Sequence, residues 1–232
     1  SDKDQLSNIS FNIKKGGTLA ILGSTGSGKS TLVNLIPRFY DVTEGSIKIG
    51  GKDIREIDRK SLQDSVGIVM QNTVLFSGSI ADNMRMGKED ATEEEMIDAL
   101  KKADIADFVL SLPDGLNHKI EQDATNISGG QRQRISIART LISEPDILIL
   151  DDSLSAVDLI TESKIRKALN KLKMTKIIIA QRISSIKDAN KILMIEDGKM
   201  LCYGSHDELY KTSAEYKEVY DSQVQSAEEG KL

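Results

Sequence analysis

The chain has 232 residues, 39% of them hydrophobic and 29% charged, which suits a globular fold long enough to bury a real core. Its 31 Lys and Arg against 36 Asp and Glu leave a net charge of −5, and no basic run interleaves with aromatics, which argues against a nucleic-acid surface. The apolar runs at 147–150 and 177–180 fall far short of the ~20 residues that cross a bilayer, no signal-peptide pattern opens the chain, and the one cysteine, Cys202, excludes an internal disulfide.

These features predict a domain that is soluble by itself and cytoplasmic, and the immediate start in strand-like sequence predicts a piece of a longer polypeptide. In chain order, residues 9–13 and 18–22 read as strands around a Lys-Lys-Gly-Gly turn, predicting a hairpin. Residues 46–49 and 66–69 read as further strands. Thr92 and Glu95 form a capping box before Met96, Ile97, Ala99, Leu100 and Ala103 at helical spacing. From 147 onward strands return at 147–150, 177–180, 191–195 and, past Asp197-Gly198, 200–203. A polar, frayed tail is expected from about Ser222. Alternating strands and helices predict an α/β fold with a largely parallel sheet.

Gly23, Ser24, Thr25, Gly26, Ser27, Gly28, Lys29 and Ser30 match the pattern G-x-x-x-x-G-K-[ST] between an apolar run and the helical stretch beginning at Thr31. The glycines let backbone N–H groups converge, and a helix N-terminus adds partial positive charge, so this loop is expected to hold the phosphates of ATP. Lys29 then reaches the β- and γ-phosphates, and the Ser30 hydroxyl ligates Mg²⁺. The run 147–150 ends in Asp151 and Asp152, as a buried parallel strand does when it delivers carboxylates to a ligand crevice. Asp151 suits the Mg²⁺ shell.

At Asn126, Ile127, Ser128, Gly129, Gly130 and Gln131 the chain resembles the signature of ATP-binding cassette proteins, normally Leu-Ser-Gly-Gly-Gln. Order and spacing agree throughout, from the phosphate loop through Gln71, the signature and Asp151 to Ser155, Ala156, Val157 and Asp158. Within the family, the segments 38–41 and 75–80 with Asn83 resemble exporter-type cassettes. The resemblance implies a RecA-like phosphate-loop NTPase core with an antiparallel β subdomain over 1–71 and 145–222, an inserted helical subdomain over 72–144, and a polar tail over 223–232. It implies that Gln71 reaches Mg²⁺ or the attacking water, and that Ser128, Gly129, Gly130 and Gln131 face the γ-phosphate on an opposing cassette. Asp158 lies in a loop crossing that dimer. Implied partners are a second cassette and the transmembrane domains of a transporter, at the cytoplasmic face of the membrane.

Three departures qualify the resemblance. The family's glutamate after the magnesium-binding aspartate is Asp152 here, one methylene shorter, where general-base help is worth about 10²- to 10⁴-fold. The family's γ-phosphate histidine is Gln181, which donates a hydrogen bond but never becomes cationic. The glutamate expected before the signature is Gln122, and the adenine-stacking aromatic falls ahead of Ser1. His118 and His206, away from the switch position, read as surface or capping residues. This pattern resembles the degenerate half of a heterodimeric exporter, binding ATP-Mg²⁺ while hydrolysing it poorly beside a non-identical partner. Two other readings stay open: a regulatory ATP-binding module with little turnover, and a cassette ATPase without transport.

Overall fold

The computed structural model describes residues 5–154 and 156–228, with backbone alone at Ser184, Ala227 and Glu228. In chain order the first elements are β1 (Thr18–Leu22), α1 (Lys29–Leu35), β2 (Lys48–Ile49), β3 (Lys52–Asp53) and α2 (Arg59–Asp64). Then follow β4 (Val66–Val69), β5 (Gly78–Ser79), α3 (Ile80–Arg85), α4 (Glu93–Lys102), α5 (Ala106–Ser111), β6 (Lys119–Ile120), α6 (Gly129–Leu141), β7 (Ile147–Asp151) and α7 (Leu159–Asn170). The last are β8 (Thr175–Ile179), β9 (Lys191–Glu196), β10 (Lys199–Gly204), α8 (His206–Thr212) and α9 (Ala214–Glu228). The protein is mixed α/β with a parallel core, as the alternation predicts, and divides into two compact units, 1–66 with 175–232 and 67–174.

In the first unit the strands lie in the order β10-β9-β1-β8. Strand β1 pairs parallel with β8 on one side and β9 on the other, Ala20 standing opposite Ile178 and Ile192. Leu19, Ala20 and Ile21 are fully buried, which is why this strand reads as a continuous apolar run rather than an alternating one. Both its edges being taken, residues 9–13 cannot pair with it. The predicted hairpin is therefore corrected: this stretch forms no strand, and among the described residues Ser7 makes an isolated bridge to Lys199. Strand β10 returns antiparallel to β9 through Asp197 and Gly198, both at positive φ (46° and 73°), as a two-residue hairpin turn demands. The strand read over 46–49 shortens to β2, paired with β3 across Gly50 and Gly51.

In the second unit β7 lies beside β4, and a group of helices packs around α6, which touches α3 and α4. Helix α4 opens on the expected capping box, Thr92 with Glu95, and turns Met96, Ala99 and Leu100 inward at the spacing of one helical face. The unit holds both the helical stretch of 72–144 and the strand that ends in the acidic pair. The β5–β6 pair, Gly78 opposite Ile120, has no alternating apolar pattern to mark it in the sequence. The tail also differs: α9 continues helical through Glu228 because Tyr216, fully buried, anchors its first turns. Among the described residues no helix is long and apolar enough to cross a membrane.

Candidate nucleotide site

The phosphate loop leaves β1 at Leu22 and enters α1 at Lys29. A Cβ on Gly23 would stand 2.1 Å from the Ile195 carbonyl oxygen, so the backbone of β9 sits where any side chain would be. Gly28 occupies the N-cap of α1 at φ 100°, a conformation glycine adopts without strain, and no side chain caps the helix. Lys29 Nζ donates to the carbonyl oxygens of Gly23 (2.9 Å) and Ser24 (2.6 Å), curling the loop around its ammonium, with the Ser27 hydroxyl at 3.4 Å. Ser24 Oγ donates to Glu196 Oε1 at 2.7 Å, which ties the loop's outer limb to the end of β9. Ser24, Thr25 and Gly26 are exposed, Ser27 is buried, and the space where a Gly26 side chain would stand is open.

This chemistry fits a polyphosphate. A helix start without a side-chain cap or an acidic first turn, one ammonium and the hydroxyls of Ser30 and Thr31 offer donors and positive potential, and the glycines leave room for close approach.

In the second unit β7 carries Leu148, Ile149 and Leu150 through the core and ends at Asp151, itself only 5% exposed. Asp152 follows at φ 45°, in the left-handed region that aspartate tolerates better than most residues. Gln71, two residues past β4, donates from Nε2 to Asp152 Oδ2 at 3.3 Å. The hydroxyl of Ser153 is buried with no hydrogen-bond partner among the described residues. Among those residues no cluster of three His, Cys, Asp or Glu gathers. A site with one carboxylate plus hydroxyl and amide oxygens matches the habit of magnesium, which keeps waters and phosphate oxygens for its other positions.

The signature segment caps α6. Ser128 Oγ accepts from Gln131 N–H at 3.3 Å while Gln131 Oε1 accepts from Ser128 N–H at 2.9 Å, a reciprocal box that satisfies two orphan donors. Ile127, standing where the family has leucine, is buried. Gly129 has open space beside it, and a Cβ on Gly130 would stand 3.2 Å from the Ala156 carbonyl oxygen. Asp158 caps α7, accepting at Oδ1 from Ile160 (3.1 Å) and Thr161 (3.0 Å); these N–H bonds, that of Thr161 foremost, hold its carboxyl below the usual range. Ser155 of the same motif lies outside the described residues.

Gln181 follows β8 and Ala180, and its carbonyl oxygen accepts from Gln223 on α9. Neither that contact nor the Gln71 to Asp152 bond has any signal in local sequence. His206 differs from expectation: it is half-buried, with Nδ1 2.8 Å from the Tyr216 hydroxyl. Asn83 is fully buried, accepting from Phe76 N–H (2.9 Å) and donating to the carbonyls of Phe76 (2.8 Å) and Ser79 (3.1 Å). It clamps a segment that exposes Val74 and Phe76.

A family model described as "ABC transporter" matches residues 6–155. The chain is 47% identical over 222 residues to the uncharacterized ABC transporter ATP-binding protein YfiB of Bacillus subtilis (strain 168), covering 96% of this chain and 39% of that protein. It is 44% identical over 225 residues to the putative multidrug export ATP-binding/permease protein YgaD of the same organism, with the same two coverages. A solved structure of a bacterial Atm1-family ABC exporter with ATP bound superposes with a TM-score of 0.91 at 39% identity, over 96% of this chain and 40% of that one. The chain thus spans about two fifths of the length of the curated relatives it matches.

Proposed function

Because the chain belongs to the ABC transporter family, as an ATP-binding domain homologous to those of exporters, we propose that it binds ATP with Mg²⁺ on the cytoplasmic side of a membrane and drives solute export. The observation that carries this reading is the phosphate loop, its carbonyls wrapped on the Lys29 ammonium and its helix start free of any side-chain cap. In the first unit residues 23–31 hold the triphosphate, with the Ser30 hydroxyl offered to the metal; in the second, Asp151 and Gln71 are assigned as metal ligands. Magnesium, when bound, supplies charge neutralisation on the phosphate oxygens. Gln71 orients water, and Asp152 accepts its proton.

The reading extends to a weakened site. Asp152 is shorter than the family's glutamate and Gln181 cannot become cationic, so hydrolysis at this chain's own site is slow. Ser128, Gly129, Gly130, Gln131 and Asp158 serve the nucleotide of a second, non-identical cassette, docked head to tail. The core over 1–71 and 145–222, the helical subdomain over 72–144 and the polar tail over 223–232 are the division this reading assigns. Steady-state phosphate release tests it: the full-length protein turns over slowly by itself and faster with its partner. Fast turnover by the protein without a second, different cassette rejects the weakened site.

A further inference from the structure

Two hydrogen bonds join α9 to the loop after β8. Gln223 donates from Nε2 to the Gln181 carbonyl oxygen at 2.8 Å, and its Oε1 accepts the Ile183 N–H at 2.7 Å. One side-chain amide therefore brackets Arg182 from both sides and occupies a backbone acceptor and a backbone donor beyond the end of the β8 ladder. A primary amide does both, whereas glutamate lacks the donor and leucine lacks either group.

The helix that delivers this amide is firmly seated. Tyr216 is fully buried with its hydroxyl 2.8 Å from His206 Nδ1, and the Tyr220 ring lies 5.0 Å from that of His206 and 5.3 Å from that of Tyr210. Tyr210 donates to Asp221 Oδ1 at 3.2 Å. Tyr216, Tyr220 and Gln223 are four and three residues apart, the spacing of one helical face. The face that packs its tyrosines beside α8 is the face that carries the amide to the loop.

We propose that Gln223 is a positioning residue for the loop carrying Gln181: seated by its tyrosines, α9 fixes the backbone from which Gln181 is offered to the terminal phosphate. The inference rests on the proposed reading of Gln181 as the residue at the family's γ-phosphate position. It acts through backbone geometry, so its effect falls on ligands that possess a γ-phosphate and spares those that end at the β-phosphate.

The test uses the full-length protein, with Gln223→Leu, which loses both bonds, and the isosteric Gln223→Glu, which keeps the acceptor for Ile183 but loses the donor to Gln181. Amide hydrogen exchange and calorimetric titration with ATP-Mg²⁺ and ADP-Mg²⁺ are read together. Gln223→Leu raises exchange at Ile183 about tenfold, the loss of one hydrogen bond, while Gln223→Glu leaves it near wild type. Both variants weaken ATP about threefold or more and leave ADP within about twofold. Exchange at Ile183 unchanged in Gln223→Leu, or equal weakening of ATP and ADP in Gln223→Glu, overturns the inference. A wild-type protein that takes up no ATP overturns the underlying reading as well, whereas wild-type binding matched by both variants overturns the inference alone.

Discussion

Gln71 Nε2 and Asp152 Oδ2 stand 3.3 Å apart, joining positions separated by 81 residues, one just past β4 and the other just past β7. The separation is long for an N–H···O bond, so the tether is weak. It nevertheless places the residue assigned to orient water beside the one assigned to take its proton, within a single compact unit.

Lengthening the carboxylate and restoring an imidazole should recover hydrolysis. Asp152→Glu combined with Gln181→His is expected to raise steady-state ATPase of the partnered protein by about 10²-fold, the low end of what a placed general base contributes. An unchanged or lower rate, with ATP binding intact, would count against the weakened site.

Asn83 offers a test on stability. Its three side-chain hydrogen bonds run to the backbone of Phe76 and Ser79, and the residue is fully buried. Asn83→Leu leaves those groups without their partner and is expected to cost about 2–3 kcal/mol in denaturant unfolding. A cost below about 0.5 kcal/mol would show that the segment from Phe76 finds other partners.

The curled loop at 23–30, the buried strand ending in Asp151 and the cap on α6 were legible because each is a local device: glycines and a lysine, an unbroken apolar run, or a capping side chain at fixed offsets. The parallel core was legible in the unbroken apolar runs of β1 and β7. Residues 9–13 misled because a strand-like run says nothing of whether a neighbouring edge is free, and parallel partners from distant sequence occupy both edges of β1. The contacts of Gln71 with Asp152 and of Gln223 with the Gln181 loop escaped for a related reason. A glutamine carries no periodicity signal, and its partner is set by tertiary packing. The tail read as frayed because its composition is polar, yet a single buried tyrosine holds the start of α9.

The signature cap can be weighed separately from its role across the dimer. Ser128→Ala removes the oxygen that accepts the Gln131 N–H and is expected to destabilise the fold by about 1 kcal/mol. Phosphate release by the partnered protein should fall well beyond what that loss of stability explains. A variant as active as wild type would limit Ser128 to capping.

Acid stability should carry a visible signature of Glu208. The Ser205 N–H at 2.7 Å, then Lys191 Nζ at 2.9 Å, hold its carboxyl down at about 2 from an ordinary 4.5. A depressed carboxylate stabilises the fold above its unfolded value, and that contribution disappears as pH falls toward the folded value. The stability difference between wild type and Glu208→Gln should therefore be full above pH 4.5 and close as pH approaches 2, followed by circular dichroism across a pH series. A difference that stays constant through that window would contradict the assignment.

Calorimetric titration of the full-length protein with ATP in the presence of magnesium reads directly whether the loop around the Lys29 ammonium takes up a nucleotide's phosphates. Saturable uptake is predicted, weakened about tenfold or more in Lys29→Ala through loss of a charge-assisted contact. No uptake by the folded wild type, or equal affinity in Lys29→Ala, would contradict the account.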